Sequence, residues 1–138
     1  ACYLSSGEIA GNVMLQPLKS MPGEIEIGWH FNRAHQGNGY ATEAAEALLK
    51  HAFKQLHVHS ILALIAPDNT PSRRVAEKTG MKQGEHIIYD NLPHDVWSIH
   101  RTAIIRGYPF LYHLIRGDNK IRALSKHTHL PFCINFPV

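Results

Sequence analysis

The sequence is poor in the residues that build disulfide-linked or membrane-spanning proteins. Its 138 residues include two cysteines, Cys2 and Cys133, at opposite ends of the chain. A secreted scaffold of this length usually carries more, so a reducing, cytoplasmic location is expected. The longest purely apolar run, residues 61–66, is far shorter than the roughly 20 residues that a membrane helix needs. A charged segment followed by an apolar run is also missing from the N-terminus, which argues against a signal peptide and against a membrane partner.

Positive charge is scarce before residue 102. Residues 1–101 carry nine Lys or Arg against ten Asp or Glu, whereas residues 102–138 carry five basic residues against Asp118. Nucleic-acid binding needs a basic stripe on a folded face, which residues 1–101 lack, so nucleic acid is not an expected partner. A small nucleic-acid-binding α/β protein is a further alternative, which rests only on the basic residues after position 101. A hydrophobic content of 44% is enough for one domain with a core. We expect that domain in residues 1–102, followed by a C-terminal tail, 103–138, of unassigned structure.

Histidine is abundant but is not spaced as in a zinc site. The chain has 11 histidines, including the His-x-His pairs His57/His59 and His127/His129. Neither pair is accompanied by a third ligand or a cysteine pair at a usual distance in the sequence. No metal is therefore expected.

Hydrophobic periodicity predicts an α/β (α+β) domain with the order β-β-α-β-α-β-β. Strands are predicted over residues 9–15, 24–31, 58–66, 84–89 and 95–102, and helices over 41–56 and 71–79. In the first helix, apolar residues recur at steps of three and one and form a single stripe. A turn is predicted around residues 91–93, between the last two strands. The central strand–helix–strand unit indicates a mixed α/β fold.

A glycine-rich segment, Gln36-Gly37-Asn38-Gly39-Tyr40-Ala41, leads into the long helix. Gly37 and Gly39 have no β-carbon, so a phosphate can approach the backbone closely. The first turn of a helix also has unpaired N–H groups and partial positive charge. The segment therefore predicts a pyrophosphate-binding loop. A turn that merely caps the helix stays as the alternative, whereas a dinucleotide-binding loop would need a third glycine that is missing.

Several segments between about residues 7 and 101 resemble the GNAT acetyltransferases. Gln36-x-x-Gly39-x-Ala41 resembles the family's Q/R-x-x-G-x-G/A motif. Four further segments resemble the ribosomal-protein N-terminal acetyltransferase (RimJ/RimL) branch. These are Glu26-Ile27-Gly28-Trp29, Gly39-Tyr40-Ala41-Thr42-Glu43-Ala44, Asn69-Thr70-Pro71-Ser72 with Glu77-Lys78-Thr79-Gly80-Met81, and Asp95-Val96-Trp97.

The resemblance implies a twisted, mostly antiparallel GNAT-like sheet flanked by helices, which splays between the strand before the loop and the strand after the long helix. It implies acetyl-CoA as co-substrate and transfer of an acetyl group to a primary amine, either a protein N-terminus or a small molecule. GNAT domains usually begin with a strand and two helices, and this sequence resembles the family only from the element after them. The domain is therefore expected to be N-terminally incomplete. The alternative is a non-catalytic acyl-CoA-binding or interaction protein on a GNAT-like core. A homodimer stays open.

The resemblance also implies a set of cofactor-binding residues. Backbone groups of Trp29, His30 and Phe31 would pair with the pantetheine arm, and Asn69 would hydrogen-bond that arm. Arg73 or Arg74 would reach the phosphates, unless the two form an ordinary solvated helix face. The pyrophosphate loop and helix start would comprise Gln36, Gly37, Asn38, Gly39, Tyr40, Ala41 and Thr42.

Two residues are candidates for the chemistry. Glu26 is the expected general base for the attacking amine, with an ordinary solvent-facing strand carboxylate as the alternative. Many GNAT enzymes protonate the leaving thiolate with a tyrosine seven residues after the asparagine, but Ala76 stands at that position. Ser72, which the resembling branch offers instead, is the expected thiolate partner, and helix capping is its alternative role.

Overall fold

A computed structural model describes residues 1–101, which form one six-stranded sheet and two α-helices. The strands are β1 (Cys2–Tyr3), β2 (Ile9–Pro17), β3 (Ile25–Phe31), β4 (Ser60–Ile65), β5 (Lys82–Tyr89) and β6 (Leu92–His100). The helices are α1 (Tyr40–Gln55) and α2 (Thr70–Lys78), and a 3₁₀ turn covers Arg33–His35. The expected tail, 103–138, lies outside the described residues.

The sheet is mixed and mostly antiparallel, which confirms the fold class predicted from the sequence. Its strand order is β1-β2-β3-β4-β6-β5, and only β3 and β4 run parallel. Seven residue pairs join β2 to β3, but a single pair, Glu26 with Leu62, joins β3 to β4. The two parallel strands therefore diverge toward their carboxyl ends, as the resemblance implied.

Both helices lie against one face of the sheet and form the main core with it. The apolar stripe of α1 contributes the buried residues Ala45, Leu48, Leu49, Ala52 and Phe53. These side chains pack on Ile27 of β3, Ile61 of β4 and Trp97 of β6, which point to the same face of the sheet. Neither helix is long and apolar enough to cross a bilayer.

The opposite face of the sheet carries a smaller apolar cluster. Leu62 of β4 and Val96 of β6 are buried there with Leu18 from the β2–β3 loop, and Met21 packs against them. β4 therefore has buried residues on both faces, as its nearly continuous apolar run predicted.

Two local features differ from the sequence-based expectations. Strand β1 was not predicted, because two residues are too few for a periodic signal, and it pairs with β2 across an irregular register. The final hairpin turns at Asp90 and Asn91, which have φ of 49° and 62°, and not at residues 91–93. This pair of left-handed residues is typical of a two-residue hairpin. Pro93 consequently lies inside β6, just beyond the last residue paired with β4.

Candidate active site at the diverging ends of β3 and β4

The open edge of β3 lies beside the gap that forms where β4 diverges. The Asn32 N–H donates to the Ala10 carbonyl, which shows which residues of β3 direct their backbone hydrogen bonds toward β2. Since backbone groups alternate between the two sides of a strand, those of His30 face β2 and those of Trp29 and Phe31 face the gap. An extended ligand could therefore pair with Trp29 and Phe31, whereas the accessible group of His30 is its exposed side chain.

Both helices begin at the same end of the sheet, on either side of this gap. Because β3 and β4 are parallel, their carboxyl ends lie at the same end of the sheet. The chain continues from β3 to α1 and from β4 to α2. A crevice outside the carboxyl ends of parallel strands, where the connections separate, is a common ligand site in α/β sheets. The predicted loop, residues 36–41, and the Asn69–Ser72 segment are thus brought to the same end of the sheet, beside the gap.

The start of α1 has unpaired N–H groups and no capping side chain. Gly39 precedes the helix with φ of 84°, and it makes no side-chain cap hydrogen bond. The first helical bond runs from the Glu43 N–H to the Gly39 carbonyl at 3.0 Å. The N–H groups of Tyr40, Ala41 and Thr42 therefore have no acceptor within the helix, and the helix dipole adds positive potential there.

Two glycines give this loop its conformation, and the space around them is open. Gly37 and Gly39 have φ of 82° and 84°, a region that favours glycine. A β-carbon at either position would have no neighbouring atom within 4 Å in the described part of the chain. The glycines are thus required by the backbone conformation, and the adjacent space is left to solvent or to a ligand.

Side-chain amides hold the loop to β3 and to the 3₁₀ turn. Gln36 Nε2 donates to the Phe31 carbonyl at 3.1 Å. That carbonyl is therefore already bonded, and the Gln36 side chain links the loop to the end of β3. Asn38 Nδ2 lies 3.3 Å from the His35 carbonyl and 3.4 Å from the Gln36 carbonyl. His35 in turn contacts Glu8 of the β1–β2 turn at 2.9 Å. The side chains of Gln36 and Asn38 therefore shape the loop, which leaves the backbone to meet an anion.

The second segment of the crevice is the turn between β4 and α2. Asn69 caps α2, because its Oδ1 accepts from the Ser72 N–H at 3.2 Å, and Ser72 stands half-buried in the first helical turn. Arg73 is engaged, since its Nη1 donates to the Pro67 carbonyl at 3.1 Å and its Nη2 to Gln83 Oε1 at 3.4 Å. Arg74 is exposed. Of the two arginines, Arg74 is therefore the candidate for a phosphate contact.

Glu26 lies on the sheet face opposite the helices, at the point where β3 and β4 are still joined. Its register partner on β4 is Leu62, and its register partner on β2 is Gln16. Gln16 Nε2 donates to Glu26 Oε2 at 2.9 Å. The carboxylate is half-buried and held through one oxygen. Gln16 was not identified from the sequence because it stands ten residues earlier, and only the register pairs the two.

The ionisable side chains near the start of α1 include two glutamates, Glu43 and Glu46. Burial raises the pKa of Glu43 in the first turn. Burial, together with the charge of Glu43, raises the pKa of Glu46. The loop itself contains no Lys or Arg, so attraction for an anion would come from backbone N–H groups. In residues 1–101, no group of three or more metal-ligating side chains is assembled.

Comparison with known proteins identifies acetyltransferases among the relatives of this chain. The family model described as an acetyltransferase (GNAT) domain matches residues 2–82. The uncharacterized N-acetyltransferase YnaD of Bacillus subtilis (strain 168) is 50% identical over 58 residues, which are 42% of this chain and 34% of YnaD. A crystal structure of a GNAT-family acetyltransferase from Bacillus anthracis is 35% identical with a TM-score of 0.62, covering 70% of this chain and 61% of that one.

A further match concerns the fold alone. The aminoglycoside acetyltransferase AAC(6')-Ib in complex with coenzyme A aligns with a TM-score of 0.66 at 22% identity, covering 75% of this chain and 66% of that one. By the two coverages given above, this chain spans about a third of YnaD and under two thirds of the B. anthracis protein.

Proposed function

The chain belongs to the GNAT acetyltransferase family, and from that premise we propose that it transfers an acetyl group from acetyl-CoA to a primary amine by direct attack. The observation that carries the proposal is the uncapped start of α1 beside the gap between β3 and β4. A helix start with unpaired N–H groups suits a pyrophosphate, and a strand edge facing a gap suits an extended amide-containing arm.

The residues present fit coenzyme A. The N–H groups of Tyr40, Ala41 and Thr42 would bind the pyrophosphate, with the backbone of Gly37, Asn38 and Gly39 leading to them. The backbone groups of Trp29 and the N–H group of Phe31, whose carbonyl is bonded to Gln36, would pair with the pantetheine arm. The Asn69 amide would reach that arm from the α2 side, and Arg74 would contact a phosphate.

The chemical role of Glu26 would be to take a proton from the amine. Acetyl-CoA supplies an acyl group that is activated as a thioester. An amine attacks only when it is unprotonated, and α-amino groups and lysines have ordinary pKa values of about 8 and about 10.4. A carboxylate that accepts the proton directly or through water therefore helps most with the more basic acceptor. Glu26 fits this role because one of its oxygens stays outside the bond to Gln16.

Two further groups would stabilise the developing charges. The Trp29 N–H faces the gap and would donate to the thioester carbonyl oxygen; losing such a donor typically costs about 10²–10³ in rate. Ser72 would donate its hydroxyl proton toward the leaving sulfur. Its backbone N–H already caps α2 through Asn69, so the hydroxyl is not needed for that cap.

The proposal is tested by binding and turnover on the same protein. Isothermal titration should give saturable binding of coenzyme A, and mass spectrometry should detect acetylation within a panel of peptide N-termini, lysine peptides and small amines. Ser72→Ala should keep coenzyme A affinity within about threefold and lower kcat at least tenfold, with Ser20→Ala in the exposed β2–β3 loop as control.

Each outcome has a distinct meaning. Absence of coenzyme A binding would overturn the proposal entirely. Tight binding without transfer to any acceptor would favour the non-catalytic acyl-CoA-binding protein. Transfer restricted to peptide N-termini, or to small amines, would identify the acceptor class.

A further inference from the structure

A buried carboxylate lies outside the proposed chemistry, on β6. Asp95 is 7% exposed and points to the helix-covered face of the sheet. Burying a carboxylate is unfavourable unless hydrogen bonds compensate for the lost hydration. Both oxygens of Asp95 are bonded: Oδ2 accepts from Gln83 Nε2 at 2.9 Å, and Oδ1 lies 3.0 Å from His86 Nδ1.

An irregularity in β5 brings both partners to this carboxylate. Gln83 and His86 are three residues apart, so a regular strand would direct their side chains to opposite faces. The register with β6 shifts between them, so that Gln83 pairs with Trp97 and His86 with Asp95. Such an extra residue changes the face to which the following side chains point. A β-carbon at Gly84 would lie only 3.3 Å from the Val96 carbonyl oxygen, so the absence of a side chain at this position favours the irregular register.

The carboxylate fixes which way the Gln83 amide faces. A carboxylate only accepts hydrogen bonds, so Gln83 must turn its NH₂ group to Asp95 and its oxygen away. That oxygen accepts from Arg73 Nη2 at 3.4 Å, and Arg73 Nη1 donates to the Pro67 carbonyl at 3.1 Å. The Arg73 N–H also donates to the Asn69 carbonyl at 3.1 Å. A directed chain therefore runs from Asp95 to the turn that contains Asn69.

We infer that Asp95, Gln83 and Arg73 are positioning residues that hold the β4–α2 turn for coenzyme A. The inference rests on the proposed function, because it assumes that Asn69 and Ser72 act from that turn. Gln83 is exposed and lies on β5, outside the β4–α2 turn. An effect of Gln83 on that turn must therefore pass through Arg73. Without Gln83, the Arg73 guanidinium loses its second anchor, and the turn that it clamps at Pro67 becomes less fixed.

The test compares two variants that each remove one hydrogen bond from the same carboxylate. Gln83→Ala breaks the path to Arg73, whereas His86→Ala leaves it intact and serves as the matched control. A net hydrogen bond of about 0.5–1.5 kcal/mol corresponds to about two- to twelvefold in affinity. We expect Gln83→Ala to weaken coenzyme A binding by three- to tenfold in titration calorimetry, and His86→Ala to change it by less than twofold.

Hydrogen exchange provides a readout that does not depend on the ligand. Amides of residues 69–74 should exchange faster in Gln83→Ala than in His86→Ala, at matched thermal stability. Equal affinities and equal exchange in the two variants would overturn the positioning role. Wild-type protein that binds no coenzyme A would instead overturn the proposed function, while the exchange comparison would still decide whether Gln83 holds the turn.

Discussion

Replacement of Gly39 by alanine separates backbone strain from ligand binding. A methyl group at Gly39 would meet no neighbouring atom of residues 1–101 within 4 Å, so the described part of the fold has room for it. It would occupy the space beside the unpaired N–H groups of Tyr40 and Ala41, which the proposed function assigns to a phosphate. The φ of 84° also makes alanine unfavourable there, at about 1–2 kcal/mol.

Gly7 offers a matched control for the strain. It lies in the β1–β2 turn with the same φ of 84°, and a β-carbon there also meets no neighbouring atom of residues 1–101 within 4 Å. Gly7→Ala and Gly39→Ala should therefore lower the free energy of unfolding by similar amounts, measured by chemical denaturation. Only Gly39→Ala should affect the binding of coenzyme A.

The size of the binding effect follows from the hydrogen bonds at risk. A hydrogen bond to a charged group contributes about 1.5–3 kcal/mol, so losing one raises Kd by roughly 10–100-fold. Titration calorimetry with coenzyme A should detect this loss in Gly39→Ala. Pantetheine, which lacks the pyrophosphate, should bind both variants and the wild type equally. Equal affinity of Gly39→Ala and Gly7→Ala for coenzyme A, or a parallel fall in the affinity of Gly39→Ala for pantetheine, would contradict a pyrophosphate contact at Gly39.

Three further variants probe the base, the helix charge and the strand packing. Glu26→Gln should lower kcat by about 10² in steady-state kinetics, because an amide cannot accept the proton, while Glu24→Gln, just before β3, should change it less than twofold. Burial raises the pKa of Glu46. Between the unfolded pKa of about 4.3 and the raised folded pKa, the folded state binds more protons than the unfolded state, so stability falls as pH rises. At pH 8 the ionised carboxylate therefore destabilises the fold, and Glu46→Gln should raise the melting temperature. Gly11→Ala should lower the free energy of unfolding by about 1–3 kcal/mol, because its β-carbon would collide with the His30 carbonyl and lie 2.7 Å from the Phe31 Cα. Gly28→Ala, which meets only the flexible Met14 side chain at 3.2 Å, should stay within about 1 kcal/mol of the wild type.

Each of these has an outcome that would contradict it. Equal kcat for the two glutamate variants would remove Glu26 from the chemistry. A stability gain from Glu46→Gln that persists below pH 4 would show that ionisation is not its cause. Equal destabilisation by the two glycine variants would show that backbone contact at Gly11 is not the limiting factor.

Local patterns identified the parts of the site that lie close together in the sequence. The glycines at 37 and 39 predicted the helix start and its unpaired N–H groups, because φ preference and helix ends are properties of a few neighbouring residues. The partners of the candidate residues were not predictable in this way. Gln16 reaches Glu26 through strand register, and Gln83 reaches Arg73 through an irregular strand on another hairpin.

Apolar spacing of two or about 3.6 residues selects strand or helix locally, so the order of most elements could be predicted from the sequence, and the family resemblance implied the mostly antiparallel sheet. The three-dimensional fold was needed to show that β3 and β4 diverge after a single pair and that both helices begin beside the resulting gap. It also decided that Asp95 orients Gln83 toward Arg73. These relations depend on register and on three-dimensional contact between distant segments, which no local spacing encodes.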